Sequence, residues 1–320
     1  MKLVTRFSLI LFLVLSACKQ QKQEALELTA LVDWKPAQEY YKTHLAEAMQ
    51  YLDSLAVTPA ESAQAKTYFG KARVAFKKAE PFASYINPEV GHRANGPALP
   101  FLTDDSQKVL EPVGLQKIEE SIYEGVEDEA AYQKELRLTK GLLEILKGNI
   151  AERELNAERF FIATHQQLMR IVSLAIAGFD TPVSGLGLGE TQESLQSLRD
   201  VYTLSIQERV QAADAALDLQ FQDEVKKAIA FIETNKDFAT FDRYTFIREY
   251  FNPITRSWVA IRKASDLWEP VSNKPYNFDA PTFFEEDSFN VEYFRAITNR
   301  NPSEAKIALG KRLFFDKNLS

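Results

Sequence analysis

The sequence predicts an all-α fold, on three observations. Glycine is sparse, with 12 in 320 residues, while Ala, Leu, Glu, Gln and Lys, which favour helices, are plentiful. Apolar residues recur at helical spacing along most of the chain, and no stretch has a convincing strand pattern. The hydrophobic content of 45% and the charged content of 26% are ordinary for a globular protein. We expect antiparallel helical bundles, two of which pack together.

Charge and cysteine content exclude several classes of function. The formal net charge is −7 and no basic cluster interrupts it, which argues against a nucleic-acid surface. The single cysteine excludes a disulfide framework and a cysteine-rich metal site. The length allows two domains with sizeable cores.

The amino-terminal segment has the pattern of a bacterial lipoprotein signal. A basic start precedes the short apolar run Phe7–Leu15, and Leu15-Ser-Ala-Cys18 resembles a lipobox. We therefore predict a signal peptide over 1–17, lipidation of Cys18 and a polar tether over 18–33. This places the protein in the bacterial envelope, anchored to a membrane by lipid and facing the periplasm. The alternative is an unmodified cysteine within an ordinary signal peptide.

Residues 34–267 have the pattern of one helical domain. A helix is predicted over 36–56, and Thr58-Pro-Ala-Glu61 is a capping box that would open the next helix, antiparallel to the first. A long helix over 150–177 shows the most regular heptad spacing. Its repeating residues are Leu155, Ile162, Met169 and Ile176.

An irregular insert over 87–112 interrupts the helices. Several prolines and glycines lie there, and a loop of this length in a helical domain is unusual enough to suggest function. The alternative is a surface strap held by Leu99 and Phe101.

The insert and the helix after it contain Asn95-Gly-Pro-Ala-Leu-Pro100 and Glu111 to Glu120, which resemble imelysin-type helical domains. Such domains occur in iron-related envelope proteins and as amino-terminal extensions of some di-haem peroxidases. The family motif is Gly-x-His-x-x-Glu, and the matching residues here are Gly114, Gln116 and Glu119. Because Gln116 replaces the histidine, and an amide is a poor ligand for transition metals, the metal and peptidase implications are weakened.

Two groups of residues are candidate cation ligands. Gln116 and Glu119 are three residues apart and share a helix face, so their oxygens suit a cation, or Glu119 caps or pairs within the bundle. Glu158 and His165 are one heptad apart and project in the same direction. They predict a metal site or a buried pair, against the simpler alternative of a hydrogen-bonded core histidine.

The pattern fails over 268–282, which we interpret as a linker, and a helix begins again after Asn301. The segment LGKRLFFDKNLS, from Leu309 to Ser320, resembles the stretch before the first haem-attachment motif of bacterial di-haem cytochrome c peroxidases, including MauG-like proteins. In that family a Cys-x-x-Cys-His motif follows within about ten residues. Residues 283–320 therefore resemble the start of such a peroxidase domain.

This second resemblance implies a function for the intact protein. The family reduces hydrogen peroxide with electrons from a cytochrome-type donor, through two c-type haems. Leu313, Phe314 and Phe315 would help to wall a haem pocket, although none of them can ligate iron. Since both Cys-x-x-Cys-His motifs are missing, this chain alone is expected to bind no haem covalently and to be inactive. The alternative is a non-catalytic imelysin-like envelope lipoprotein that binds a metal or a protein partner.

Overall fold

The structure is a computed structural model that describes residues 32–102, 109–271, 274–295 and 303–319. Within these ranges the regular structure is almost entirely helical, which confirms the all-α prediction. Cys18, the predicted signal peptide and all but residues 32 and 33 of the predicted tether lie outside the described residues. The chain divides into two compact units, with the boundary between Glu269 and Pro270.

The first unit is a set of packed helices with one small hairpin. Its α-helices are α1 (Lys35–Ala56), α2 (Ala63–Ile86), α3 (Pro88–Asn95), α4 (Leu115–Glu124), α5 (Glu129–Glu152), α6 (Ala157–Arg170), α7 (Gly187–Ser205), α8 (Gln207–Ala213), α9 (Ala215–Thr234), α10 (Arg243–Thr245) and α11 (Asn252–Ser265). The strands β1 (Phe101–Leu102) and β2 (Val109–Leu110) pair antiparallel.

Helix α2 lies at the centre of this unit, in contact with α1, α5, α6 and α7. It begins one turn later than the capping box predicts. The Ser62 side chain caps it by accepting from the backbone N–H of Ala65, whereas the Thr58 hydroxyl donates to the carbonyl oxygen of Ser54 at the end of α1. The capping-box prediction is therefore wrong, because Thr58 closes one helix and Ser62 opens the next. Helix α2 runs through Pro81 without a break.

The prediction of one long helix over 150–177 is also wrong in its limits. Helix α6 begins at Ala157, after an Asn156 cap, so that Leu155 precedes the helix. At its other end α6 passes into the π-helix Ile171–Ala175. A π-helix widens the backbone by one residue per turn, so the strict heptad spacing does not continue through it.

The predicted insert over 87–112 contains regular structure. Asn87 caps α3 by accepting from the N–H of Val90, and the two-residue strands β1 and β2 follow. The expectation of no strand is thus wrong at this hairpin, which is too short to show a period. Leu99 is 66% exposed, so it does not hold a strap against the core.

A second π-helix, Phe246–Phe251, leads directly into α11. The sequence predicts a break at Asn252-Pro253, but Pro253 lies in the first turn of α11, where its missing N–H is not needed.

The core beside α11 is aromatic. Trp258 packs against Phe160, Phe161, Tyr202 and Phe221 at ring-centroid distances of 5.4–6.2 Å.

The second unit is small and mostly irregular where it is described. It contains a 3₁₀ turn, Val291–Phe294, and helix α12 (Glu304–Phe314). The Ser303 side chain caps α12 by accepting from the N–H of Lys306. The sequence predicts Pro302 as the first helical residue, and Pro302 lies outside the described residues.

Candidate functional site

Six polar side chains form a buried ionic network inside the first unit. Each has at most 5% of its surface exposed. The network consists of Arg73, Lys77, Glu80, Asn95, Asp180 and Glu190. Helix α2 supplies the first three at spacings of four and three residues, which places them on one face. Asn95 ends α3, and Glu190 lies in the first turn of α7. Asp180 lies in the segment 176–186, here called the crossing, which connects the π-helix Ile171–Ala175 to α7.

The crossing that carries Asp180 packs tightly against the helices. Gly187 begins α7 so close to the carbonyl oxygen of Ala175 that a Cβ atom would clash with it. Glycine is therefore required at this close approach, which brings Asp180 and Glu190 to the same face of α2.

Arg73 and Glu190 form the first ion pair of the network. The guanidinium donates from Nε to Oε1 at 2.5 Å and from Nη2 to Oε2 at 2.7 Å, a bidentate geometry. Nη1 donates to Asn95 Oδ1 at 2.6 Å. Burial is the largest single effect and would lower the pKa of Arg73, but the charge and hydrogen bonds of Glu190, with the charges of Asp180 and Glu119, together raise it. Arg73 therefore stays charged although it is fully buried.

Lys77 forms the second set of ion pairs. Its Nζ donates to Asp180 Oδ2 at 2.6 Å and to Glu80 Oε2 at 2.9 Å. Burial opposes the charge on Lys77, yet the charges of Asp180, Glu80 and Glu190 together raise its pKa. Burial likewise opposes the charge on Asp180, but Lys77 and then Arg73 lower its pKa. The lysine and the aspartate are thus held in their charged forms.

The Asn95 amide joins the two halves of the network. Its Nδ2 donates to Glu80 Oε1 and to Asp180 Oδ1, both at 3.0 Å, while its Oδ1 accepts from Arg73. Gln167 of α6 adds a donor to Glu80 Oε2 at 2.9 Å. These bonds fix the orientation of the amide and tie α2, α3, α6 and the crossing together.

A pocket of about 350 Å³ opens over this network. Its buried polar lining is Glu80, Ser84, Asn95, Gln116 and Asp180. Towards solvent the lining includes the apolar residues Pro88, Pro97, Leu174 and Phe179 and the basic residues His92 and Arg170. The volume is at the small end of small-molecule sites, which combine apolar walls with a few convergent polar groups in this way.

The three residues of the altered imelysin-type motif lie beside this pocket. Gly114 has φ +112° and its N–H donates to Thr139 Oγ1 at 3.0 Å; a side chain there would clash with the carbonyl oxygen of Arg93. Gln116 Nε2 donates to the carbonyl oxygen of Phe179 at 2.7 Å. Glu119 Oε1 accepts from the N–H of Ser184 at 2.6 Å. Gln116 and Glu119 therefore hold the crossing against α4.

Glu119 is fully buried, and burial raises its pKa although the hydrogen bonds from Ser184 and the charge of Arg73 act in the opposite direction. Its second oxygen, Oε2, has no hydrogen-bond partner among the described residues. A buried carboxyl with an unmatched oxygen favours the protonated form.

The predicted metal ligands do not form one group. His165 is 8% exposed on α6, where burial and then the positive charge of Arg262 lower its pKa to about 4. Glu158 is half-buried in the first turn of the same helix, and Glu119 lies on α4. Across the ranges that the structure describes, no cluster of three or more His, Cys, Asp or Glu side chains is arranged to hold a metal ion.

The sequence interpretation missed most of the network. Arg73, Lys77 and Glu80 lie among the apolar residues of α2, and three charges inside an apolar pattern were the available signal. Asp180 and Glu190 flank a glycine-rich stretch that the sequence suggests only as a flexible crossing.

The residues predicted to wall a haem lie at the end of α12 and directly after it. Leu313 is 45% exposed, Phe314 78% and Phe315 71%. Ile307 and Leu309 of the same helix are also more than half exposed. The segment therefore presents an apolar surface in the described part of the second unit.

Comparison with protein-family models and with curated protein sequences gives no match for this chain. None of the helices in the described ranges is both long enough and apolar enough to cross a membrane.

Proposed function

We propose that the chain is the amino-terminal part of a lipid-anchored bacterial envelope protein of the di-haem cytochrome c peroxidase class. The intact protein would reduce hydrogen peroxide with electrons from a cytochrome-type donor, through two c-type haems. The supporting observation is the exposed apolar surface of the LGKRLFFDKNLS segment, at Leu313, Phe314 and Phe315. A haem is a large apolar disc, and such side chains are suited to pack against it.

The residues of this chain do not fit covalent attachment of haem. Attachment needs two cysteines and a histidine in Cys-x-x-Cys-His, whereas the chain has one cysteine and three histidines, none in that arrangement. His165 is buried within the helices of the first unit. We therefore assign no catalytic step to these residues, and the proposed contribution of the chain is to the wall of the site.

We expect the purified 320-residue chain to give no haem-stained band on a denaturing gel and no peroxidase activity. The coding sequence after Ser320 should encode Cys-x-x-Cys-His within about twenty codons. The gel and the downstream sequence are independent measurements. A covalent haem band from this chain alone, or the absence of the motif in every frame, contradicts the proposal.

The helical domain supports a second candidate, a non-catalytic module that binds a metal or another partner in the envelope. The observation that favours it is the pocket over the buried ionic network, lined by Glu80, Asn95 and Asp180. A metal titration by calorimetry tests the metal form, with Asp180→Asn as the variant in the pocket lining and His165→Ala, outside that lining, as the control. Stoichiometric binding that Asp180→Asn weakens and His165→Ala leaves unchanged supports it, and the absence of binding removes the metal form.

A further inference from the structure

The floor of the pocket has more negative than positive charge. The network combines the three carboxylates of Glu80, Asp180 and Glu190 with two cations, Arg73 and Lys77. Three negative and two positive charges give the network a net charge of −1, and this holds even when Glu119 is protonated. Each carboxylate pairs with Arg73 or Lys77, but the excess of one negative charge favours a cationic group over an anionic one at the floor of the pocket.

The carboxylates at the floor also have spare hydrogen-bonding capacity. Glu80 Oε1 and Asp180 Oδ1 both accept from Asn95 Nδ2. Each carboxylate oxygen has room for about two hydrogen bonds, and both residues line the pocket. Two acceptors held by one amide nitrogen match a group with several N–H donors, such as an ammonium.

The outer lining of the pocket has the opposite charge. Arg170 is half-buried and donates from Nη1 to the neutral amide oxygen of Gln167 at 3.3 Å. A guanidinium has five N–H donors in a planar fork that matches a carboxylate. The exposed ring of His92 lines the same side. An anionic group of a ligand would therefore be held by Arg170 and His92 on the outer side of the pocket.

Apolar residues line the pocket beside the charged ones. The pocket is lined by Leu174, Pro88, Pro97 and Phe179. Phe179 is 67% exposed, although its carbonyl oxygen accepts a hydrogen bond from Gln116. An exposed aromatic ring at a pocket mouth gains by covering the apolar part of a ligand. The pocket thus offers an acceptor floor, an apolar wall and a cationic rim.

We propose that this pocket binds a small zwitterion of the α-amino-acid type. Its ammonium group contacts Glu80 and Asp180, its carboxylate contacts Arg170 and His92, and its side chain packs against Phe179. This inference deepens the second candidate function and rests on it. It assigns a ligand class that needs neither haem nor a metal ion.

The test is calorimetric titration of the full chain with the common free amino acids at neutral pH. For each amino acid that binds, two analogues follow: the 2-hydroxy acid, which lacks the ammonium, and the decarboxylated amine. We expect each analogue to bind at least about tenfold more weakly, because each loses a charge-assisted set of hydrogen bonds. An analogue that binds as tightly as its parent amino acid overturns the proposal.

Substitutions in the pocket lining test where the amino acid binds. Arg170→Gln and Phe179→Ala should weaken binding at least about tenfold. Tyr244→Ala is the matched control, since Tyr244 is 70% exposed and does not line the pocket. Asp180→Asn should abolish binding, and circular dichroism checks that this variant folds. If it does not fold, the affinity of Arg170→Gln still tests the assignment. Unchanged affinity in Arg170→Gln and Phe179→Ala overturns the assignment.

Failure of this inference is distinguishable from failure of the binding module. Stoichiometric metal binding without amino-acid binding leaves the module standing and overturns the zwitterion. Absence of both overturns the zwitterion and the metal form of the module. Neither result bears on the peroxidase proposal, which is tested by the downstream coding sequence.

Discussion

Replacing Lys77 with Met is expected to lower the free energy of unfolding by about 3–5 kcal/mol. Lys77 is 1% exposed and pairs with Asp180 and Glu80, so its removal leaves two buried carboxylates with less compensation. Methionine keeps most of the volume and helix propensity of lysine, which limits other effects. Denaturant unfolding at pH 7, followed by circular dichroism, measures the change.

Lys140→Met is the matched control for this prediction. Lys140 pairs with Asp53 at 2.7 Å, as close as the buried pairs, but the two side chains are 31% and 59% exposed. Solvent screens such a pair, and we expect a loss below about 1 kcal/mol. Equal losses in the two variants would mean that the buried network contributes no more than a surface ion pair does.

The sequence predicts most of the fold because helix signals are local. Propensity and spacing were sufficient for α1, whose predicted and observed limits differ by one residue. They failed where two local signals compete. Thr58 and Ser62 are both good cap residues four positions apart, and only the packed structure determines that the first closes α1 and the second opens α2.

The site could be predicted only in part, since its contacts are long-range. Helical spacing correctly grouped Gln116 and Glu119, but their partners lie 63 and 65 residues further along the chain. Arg73 and Glu190 are separated by 117 residues. No periodicity relates such positions, and a charge within an apolar pattern indicates burial without naming its partner.

His165 is expected to make the stability of the protein depend on pH between about 4 and 6.5. Its pKa is lowered to about 4 in the folded state, by burial and then by Arg262, from an ordinary value of 6.5. Between these values the unfolded chain binds a proton that the folded chain does not. The free energy of unfolding is therefore highest above pH 6.5. It falls by about 3 kcal/mol in total as the pH falls from 6.5 to about 4.

Unfolding titrations at several pH values between 4 and 7 measure this slope in the wild type and in His165→Gln. The slope should be shallower in the variant, because glutamine does not titrate. His92→Gln, which replaces an exposed histidine, should keep the wild-type slope. Glu119 acts in the opposite direction, since its raised pKa makes the folded state bind a proton more tightly, so only the difference between variants isolates His165. Parallel slopes for wild type and His165→Gln would show that the buried imidazole is not held neutral.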